Sequence, residues 1–120
     1  MDGKKIWIIP DCELPDEGEG LLKGHESVIV INTNKKDANI KVILYFTYKE
    51  KYDTINWVVG GERVRCFRMN NTEDMCNYTV PKNTQYAMKI VSDVPVVIQY
   101  GRLDNRQTNL AYYTTLGFSK

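Results

Sequence analysis

The chain has 120 residues, of which 42% are hydrophobic and 11% aromatic, and this composition excludes a disordered protein. Its 16 basic residues nearly balance its 15 acidic ones, so the net charge of +1 provides no overall field that would attract nucleic acid or an anionic membrane. The length predicts a single domain spanning residues 1–120.

The cysteines and the N-terminus indicate the compartment. Cys12, Cys66 and Cys76 are odd in number and widely spaced, which fits neither a secreted disulfide framework nor a zinc site. The apolar run at residues 6–9 is too short for a signal peptide, and no stretch approaches the roughly 18 apolar residues of a membrane span. We therefore expect a reduced, cytoplasmic protein without a cofactor.

Short strands separated by turns account for the first half of the sequence. Residues 5–9 form the first predicted strand, and residues 10–23 follow as a surface loop because they combine prolines and glycines with acidic side chains. These acidic residues lack the fixed alternate spacing of calcium ligands, so no metal site is predicted. Residues 26–33 and 39–47 form the next two strands, joined by a polar turn.

The strand at residues 39–47 has the clearest period of two. Ile40, Val42, Leu44 and Phe46 alternate with the other residues and are assigned to the core. Ile43 and Tyr45 fall on the opposite face. Because monomers seldom expose a contiguous apolar patch, these two residues predict that another subunit covers this sheet.

The second half is predicted to consist of strands as well. Gly60 and Gly61 join strands 54–59 and 62–69 into a hairpin, and residues 70–77 form a polar connection. Further strands are predicted at residues 84–91, after Pro95, and at residues 110–118, where Tyr112 and Tyr113 point to opposite faces. Eight or nine short strands without a helix between them predict an all-β fold, either an antiparallel sandwich or a barrel.

The fifth strand carries a basic stripe. Arg63, Arg65 and Phe67 share one face of this strand. Arginines beside an aromatic ring can follow the phosphates of a nucleic acid. The same face also suits a solvated or intersubunit surface on which the arginines pair with acidic loops, and both interpretations stay open.

The stretch from residue 92 to residue 107 is the most informative. Its first four residues predict a turn, and residues 96–98 form a continuous β-branched run that is typical of a strand covered on both faces. Gln99 follows directly, which predicts a buried amide that needs hydrogen-bond partners. Beyond it, Arg102, Asp104 and Arg106 alternate. Their two guanidinium groups and one carboxylate suit a small polar ligand, or an internal network that fixes the turn.

Candidates for catalysis are few. His25 is the only histidine, which excludes a multi-histidine metal site. None of the serines has the glycine context of a nucleophilic turn, and no glycine-rich phosphate loop is present. The spacing of Glu26 and Asp104 does not support a glycosidase pair. The sequence therefore predicts a protein that is not an enzyme.

Residues along nearly the whole chain match one pattern in order and spacing. The matching residues are Trp7, His25, Glu26, Ile31, Asn32, Tyr45, Tyr48, Lys49, Glu50, Arg63, Arg65, Phe67, Asn70, residues 92–99, Arg102, Leu103, Asp104, Arg106 and Gln107. With these residues the sequence resembles the sensory rhodopsin transducer family, which is named for the soluble Anabaena partner of a photosensory rhodopsin. The resemblance implies a β-sandwich that assembles as a tetramer and binds a small molecule such as a sugar, without established catalysis.

Together with the resemblance, the polar side chains favour a ligand pocket at an end of the sandwich or a subunit boundary. Trp7 or a tyrosine is expected to stack on the ligand, and polar groups are expected to bind its edges. The predicted site residues are Trp7, His25, Glu26, Gln99, Arg102, Asp104 and Arg106.

Three functions compete at this point. The first is a sensor domain that binds a small polar ligand, and the second is a signalling adaptor for a protein partner such as the cytoplasmic face of a membrane photoreceptor. The third is a DNA-binding regulator that uses Arg63 and Arg65.

Overall fold

The computed structural model describes residues 1–120, which form eight strands and no helix. No segment is therefore a helix long and apolar enough to cross a membrane. The paired strands all run antiparallel. In chain order the strands are β1 (Lys4–Glu13), β2 (His25–Asn32), β3 (Ala38–Phe46), β4 (Tyr52–Val59), β5 (Arg63–Arg68), β6 (Gln85–Asp104), β7 (Ala111–Thr115) and β8 (Phe118–Ser119).

Strand β6 is 20 residues long and belongs to both layers of the fold. Its first half pairs with β1 and β3, and these strands continue outward to β8 and β4. Its second half pairs with β2 and β7, and β2 continues to β5. The prediction of an antiparallel sandwich is confirmed, and the sheet does not close into a barrel.

The predicted turn at residues 92–95 is wrong, because β6 runs through it without a break. The polar groups of this segment are bound by neighbouring elements. The carboxylate of Asp93 accepts hydrogen bonds from the N–H and side-chain amide of Asn39, at 2.8 and 2.9 Å. The side-chain amide of Asn34 donates to the carbonyl of Pro95 at 2.7 Å. The turn-forming residues therefore mark the place where β6 passes from one sheet to the other.

The acidic loop predicted at residues 10–23 begins too early. Strand β1 continues to Glu13 and absorbs Pro10 at an irregularity of the register between Ile9 and Cys12. A bulge is one of the few places where a sheet accepts proline, which has no N–H for the ladder. As a result, Asp11 and Glu13 lie on a strand rather than in a loop.

The core lies between the inner faces of the two sheets. Ile40, Val42 and Leu44 of β3 are buried as predicted, and Phe46 packs against their edge. Trp57 of one sheet stacks on Phe67 of the other, with ring centroids 4.0 Å apart. This contact is nearly parallel, and it closes the side of the sandwich on which β4 and β5 are the edge strands.

Asn32 fixes the end of the sandwich at which the β2–β3 and β4–β5 turns meet. Its side chain is fully buried. The amide nitrogen donates to the carbonyls of Lys36 and Val59 at 2.8 and 3.1 Å, and the amide oxygen accepts from the N–H of Asn34 at 3.0 Å. One side chain thereby satisfies backbone groups of two turns.

We predict that Asn32→Ala lowers the free energy of unfolding by about 2 to 3 kcal/mol, because buried backbone groups lose their partners. Urea denaturation of both proteins measures the difference. Asn109→Ala changes an exposed amide with no such partners and serves as the control. Equal losses in the two variants would contradict this role for Asn32.

Candidate functional site

The predicted site residues separate into three groups. Glu26 and Arg102 lie opposite each other in the β2–β6 ladder and face inward. Together with Asp104, Arg106, Asp11 and Glu13 they occupy one end of the sandwich, which we call the polar end. His25 and Gln99 lie on the outer face of the same sheet, since they alternate with the buried residues of their strands.

Trp7 lies in the core, where its indole N–H donates to the carbonyls of Lys4 and Val96, both at 3.1 Å. The ring therefore offers no free face for a ligand to stack on.

The predicted burial of Gln99 is wrong, because its side chain is exposed. Val96, Ile98 and Tyr100 face the core, whereas Val97 and Gln99 point outward. The run of β-branched residues thus belongs to a strand with one covered face. In such a strand an outward amide is solvated and requires no protein partner.

A fully buried carboxylate, that of Glu26, forms the centre of the polar end. The hydroxyl of Tyr86 donates to its Oε1 at 2.6 Å, and the hydroxyl of Tyr100 donates to its Oε2. The N–H of Glu13 also donates to Oε2, at 2.9 Å. These three donors offset much of the cost of burying the carboxylate. Burial nevertheless raises the pKa of Glu26 above its ordinary value.

Cys12 lies beside this carboxylate and is also buried. Burial, and next the charge of Glu26, raise the pKa of the Cys12 thiol. The cysteine is therefore protonated and unreactive at neutral pH.

Arg102 is the ladder partner of Glu26, and its side chain contacts groups nearer the surface. Its guanidinium lies 4.9 Å from the centre of the Tyr113 ring and donates to the Tyr113 hydroxyl. It also donates to the carbonyl of Glu13 at 3.3 Å and lies 3.7 Å from a carboxylate oxygen of Asp11. Arg102 thus holds Tyr113 and Asp11 side by side.

Arg106 and Asp104 form a closed ion pair. The guanidinium donates to both carboxylate oxygens, with Nε at 3.0 Å from Oδ1 and Nη2 at 2.5 Å from Oδ2. Its Nη1 donates to Glu13 and Asn83, both at 2.8 Å. The hydrogen bonds from Arg106 hold the pKa of Asp104 below its usual range. Of the two interpretations left open by the sequence, the internal network describes this pair.

A cleft of about 540 Å³ opens beside Tyr113, and we call it the Tyr113 cleft. It combines two aromatic rings, a carboxylate and two hydroxyls. The sequence pattern placed Asp11 in a loop and gave Tyr113 no role, because only the pairing of β6 with β7 places Tyr113 opposite Arg102. The residues that line the cleft are Ile9, Pro10, Asp11, Tyr113, Thr115, Gly117 and Phe118.

The basic stripe of β5 is bound to its own chain. The guanidinium of Arg65 lies 4.5 Å from the centre of the Phe67 ring and donates to the carbonyl of Val58 at 3.0 Å. Arg63 donates to the carbonyl of Glu62 at 3.0 Å. Arg65 therefore links the edge strands of the two sheets. The chain holds no group of three or more His, Cys, Asp or Glu side chains arranged to bind a metal.

Comparisons with known proteins give a consistent result. Residues 2–119 match the family model described as Anabaena sensory rhodopsin transducer. A crystal structure of Thermotoga maritima 1070 superposes with a TM-score of 0.89 at 27% identity, covering 100% of this chain and 97% of that one. The structure of the Anabaena sensory rhodopsin transducer superposes with a TM-score of 0.72 at 29% identity, covering 82% and 94%. No protein of curated function shows significant similarity to the chain.

The burial of Glu26 predicts the pH dependence of stability. Its folded pKa is raised above the ordinary 4.5, so the folded protein holds this proton more tightly than the unfolded chain. The contribution of protonated Glu26 to the free energy of unfolding is therefore fully present below about pH 4.5 and is lost as the pH rises through the pKa of Glu26 in the folded protein. Glu26→Gln cannot ionise. Denaturation at a series of pH values gives the free energy of unfolding of both proteins. The value for the wild type minus the value for Glu26→Gln should fall as the pH rises. A constant or rising difference would contradict a raised pKa for Glu26.

Proposed function

The chain belongs to the Anabaena sensory rhodopsin transducer family, and from that premise we propose that it is a cytoplasmic sensor and adaptor domain. In this role it binds a small polar ligand such as a sugar and relays that binding to a protein partner. A membrane photoreceptor is a candidate partner, because one of the similar solved structures is that of the Anabaena sensory rhodopsin transducer. The proposed role involves no catalysis.

The composition of the Tyr113 cleft carries the ligand part of the proposal. Tyr113 and Phe118 supply aromatic rings, and Asp11 and Thr115 supply groups that accept or donate hydrogen bonds. Sugars and similar polyols are held by aromatic rings against their apolar faces and by polar groups at their hydroxyls. The volume of about 540 Å³ lies within the usual range for small-molecule sites.

The residues behind the cleft are assigned a positioning role. Arg102 orients Tyr113 and Asp11 and is itself only 13% exposed. Arg106 and Asp104 hold Glu13 in place, and Glu13 contacts Arg102 through its carbonyl. Glu26 anchors the same segment of β1 from the inside. His25 and Gln99 lie on the outer face, where they are available to a protein partner.

Apolar side chains exposed on the outer faces of the two sheets support assembly into a tetramer. Ile31 and Val64 are paired across β2 and β5, and they are 42% and 60% exposed. Tyr45 and Val58 expose apolar surface on the other sheet. Further copies of the chain would bury these side chains, because exposed apolar patches usually mark the contacts between subunits.

A thermal-shift screen against sugars, sugar phosphates and nucleotides tests the ligand. We predict that a neutral sugar stabilises the wild type, since a ligand at 100 times its dissociation constant adds about 2.7 kcal/mol. Tyr113→Ala should lose this shift because it removes the stacking ring.

Tyr112→Ala is the matched control for that screen, because Tyr112 is the neighbouring ring on the opposite face of β7. It should keep the shift. Equal loss in both variants, or no shift with any compound, would exclude the Tyr113 cleft as the ligand site.

Light scattering after size-exclusion chromatography tests assembly. The wild type should have about four times the 13.9 kDa mass of one chain. Ile31→Lys should reduce the mass, because a charge in an apolar contact costs more than the contact contributes. Thr79→Lys, at an exposed position of the segment before β6, should leave the mass unchanged. A wild type with the mass of one chain would refute the tetramer.

A further inference from the structure

Four strands lie at the edges of the two sheets, namely β4, β5, β7 and β8. An edge strand presents backbone N–H and C=O groups that no neighbouring strand binds. Proteins protect such edges from unwanted pairing with charged side chains, short strands or covering groups. Three of the four edges are protected in these ways, and β7 is the exception.

The chain itself covers β4 and β5. The thiol of Cys76 accepts a hydrogen bond from the N–H of Asn56 in β4 and donates one to its carbonyl, both at 3.3 Å. The N–H of Arg68 in β5 donates to the carboxylate of Asp74 at 2.9 Å. A further strand would have to displace these groups to pair there. Strand β8 has two residues, which is too short for a ladder with a further strand.

Strand β7 has none of these protections. All five of its residues are exposed, and its backbone makes no hydrogen bond outside the ladder with β6. Residues 107–119 contain no charged side chain and no proline. An edge with these properties accepts a strand from another chain.

The sequence of β7 is suited to pairing with a second copy of itself. An antiparallel pair with a two-fold axis at Tyr113 sets apolar, aromatic or β-branched residues opposite each other and brings no like charges together. Leu110 and Leu116 flank the strand and are 54% and 53% exposed, and this register places each against the other. The opposed pairs are Leu110 with Leu116, Ala111 with Thr115, and Tyr112 with Thr114.

The same register brings two Tyr113 clefts together. Tyr112 and Thr114 lie on the outer face beside Gly101, where a Cβ would be 3.3 Å from the Tyr112 hydroxyl and 3.5 Å from the Thr114 methyl group. Tyr113 therefore points to the inner face, where Arg102 holds it. With Tyr113 on the axis, its ring lies next to the Tyr113 ring of the second copy, because opposed Cβ atoms in an antiparallel pair are about 5 Å apart.

We propose that β7 pairs with β7 of a second copy of this chain about a two-fold axis at Tyr113. The sheet of β5, β2, β6 and β7 then continues into the same four strands of the second copy. This contact lies at a sheet edge and is separate from the outer-face contacts proposed above for the tetramer. It places two clefts side by side. The use of these clefts for a ligand rests on the proposed function, whereas the pairing of the strands does not.

Cysteine cross-linking tests the register. Cys66→Ser and Cys76→Ser remove the two exposed thiols, and Cys12 is buried. In that background, Tyr112→Cys and Thr114→Cys are mixed in equal amounts, allowed to exchange subunits and oxidised in air with a copper catalyst. The mixture should form a disulfide-linked pair with twice the 13.9 kDa mass of one chain, because opposed Cβ atoms are close enough for a disulfide. Either variant alone should remain unlinked, because its two thiols are then diagonal neighbours and too far apart.

Tyr113→Cys needs no exchange of subunits, because this residue lies on the axis, and it should link to itself. Thr54→Cys mixed with Asn56→Cys is the matched control, since these exposed positions have the same spacing on β4. The control mixture should remain unlinked. The pairing would be overturned if neither the first mixture nor Tyr113→Cys forms a link, if Tyr112→Cys links to itself, or if the β4 mixture links equally.

Ile31→Lys separates this contact from the proposed tetramer. The mixture of Tyr112→Cys and Thr114→Cys should link to the same extent when both chains also carry Ile31→Lys, because Ile31 lies on an outer face and not at the β7 edge. A link that is lost with Ile31→Lys would show that the outer faces bring the chains together, and it would overturn the edge contact.

Discussion

The carboxylate of Glu26 joins the parts of the chain that the fold must keep aligned. Tyr86 stands near the start of β6 and Tyr100 near its end, yet both hydroxyls reach this one side chain. The first half of strand β6 therefore lies in one sheet and the second half in the other, and the strand passes between the sheets near Pro95. Both of its ends lie at the polar end. The N–H of Glu13 adds β1 to the same point. A buried acceptor with three donors fixes this geometry, because each donor would lose its partner if a strand shifted.

The function proposed for the chain follows from this convergence. Because Arg102 is opposite Glu26 in the ladder, its guanidinium emerges next to the buried cluster and reaches Tyr113 and Asp11. The Tyr113 cleft is thus backed by a rigid interior, as a site that must hold a ligand in one orientation requires. The outer faces of the sheets carry the exposed apolar side chains, so the proposed ligand site and the proposed contacts with other chains lie on different surfaces.

Local periodicity was sufficient to predict β2 to β5 and the core face of β3, and the match to the family predicted the sandwich. The two strands predicted at residues 84–91 and after Pro95 are a single strand, and the strand predicted at residues 110–118 is divided into β7 and β8. Local patterns do not predict features that depend on the pairing of strands far apart in the sequence. Residues 92–95 have the composition of a turn, but groups from Asn34 and Asn39 bind them within a continuous strand. Gln99 follows a β-branched run, and only the register shows that it points outward. Asp11 and Asn105 carry no local pattern, since their surroundings are set by strands far away in the sequence.

Chemical-shift mapping of the isotope-labelled protein by NMR, during titration with the sugar panel, tests most directly the claim that the polar end is where the chain takes its ligand. We expect the largest changes to fall on Asp11, Tyr113 and Thr115 and to extend to Tyr100 behind them, while Asn32 at the far end stays unchanged. Changes confined to the outer faces or to the far end, or no change with any sugar, would contradict it.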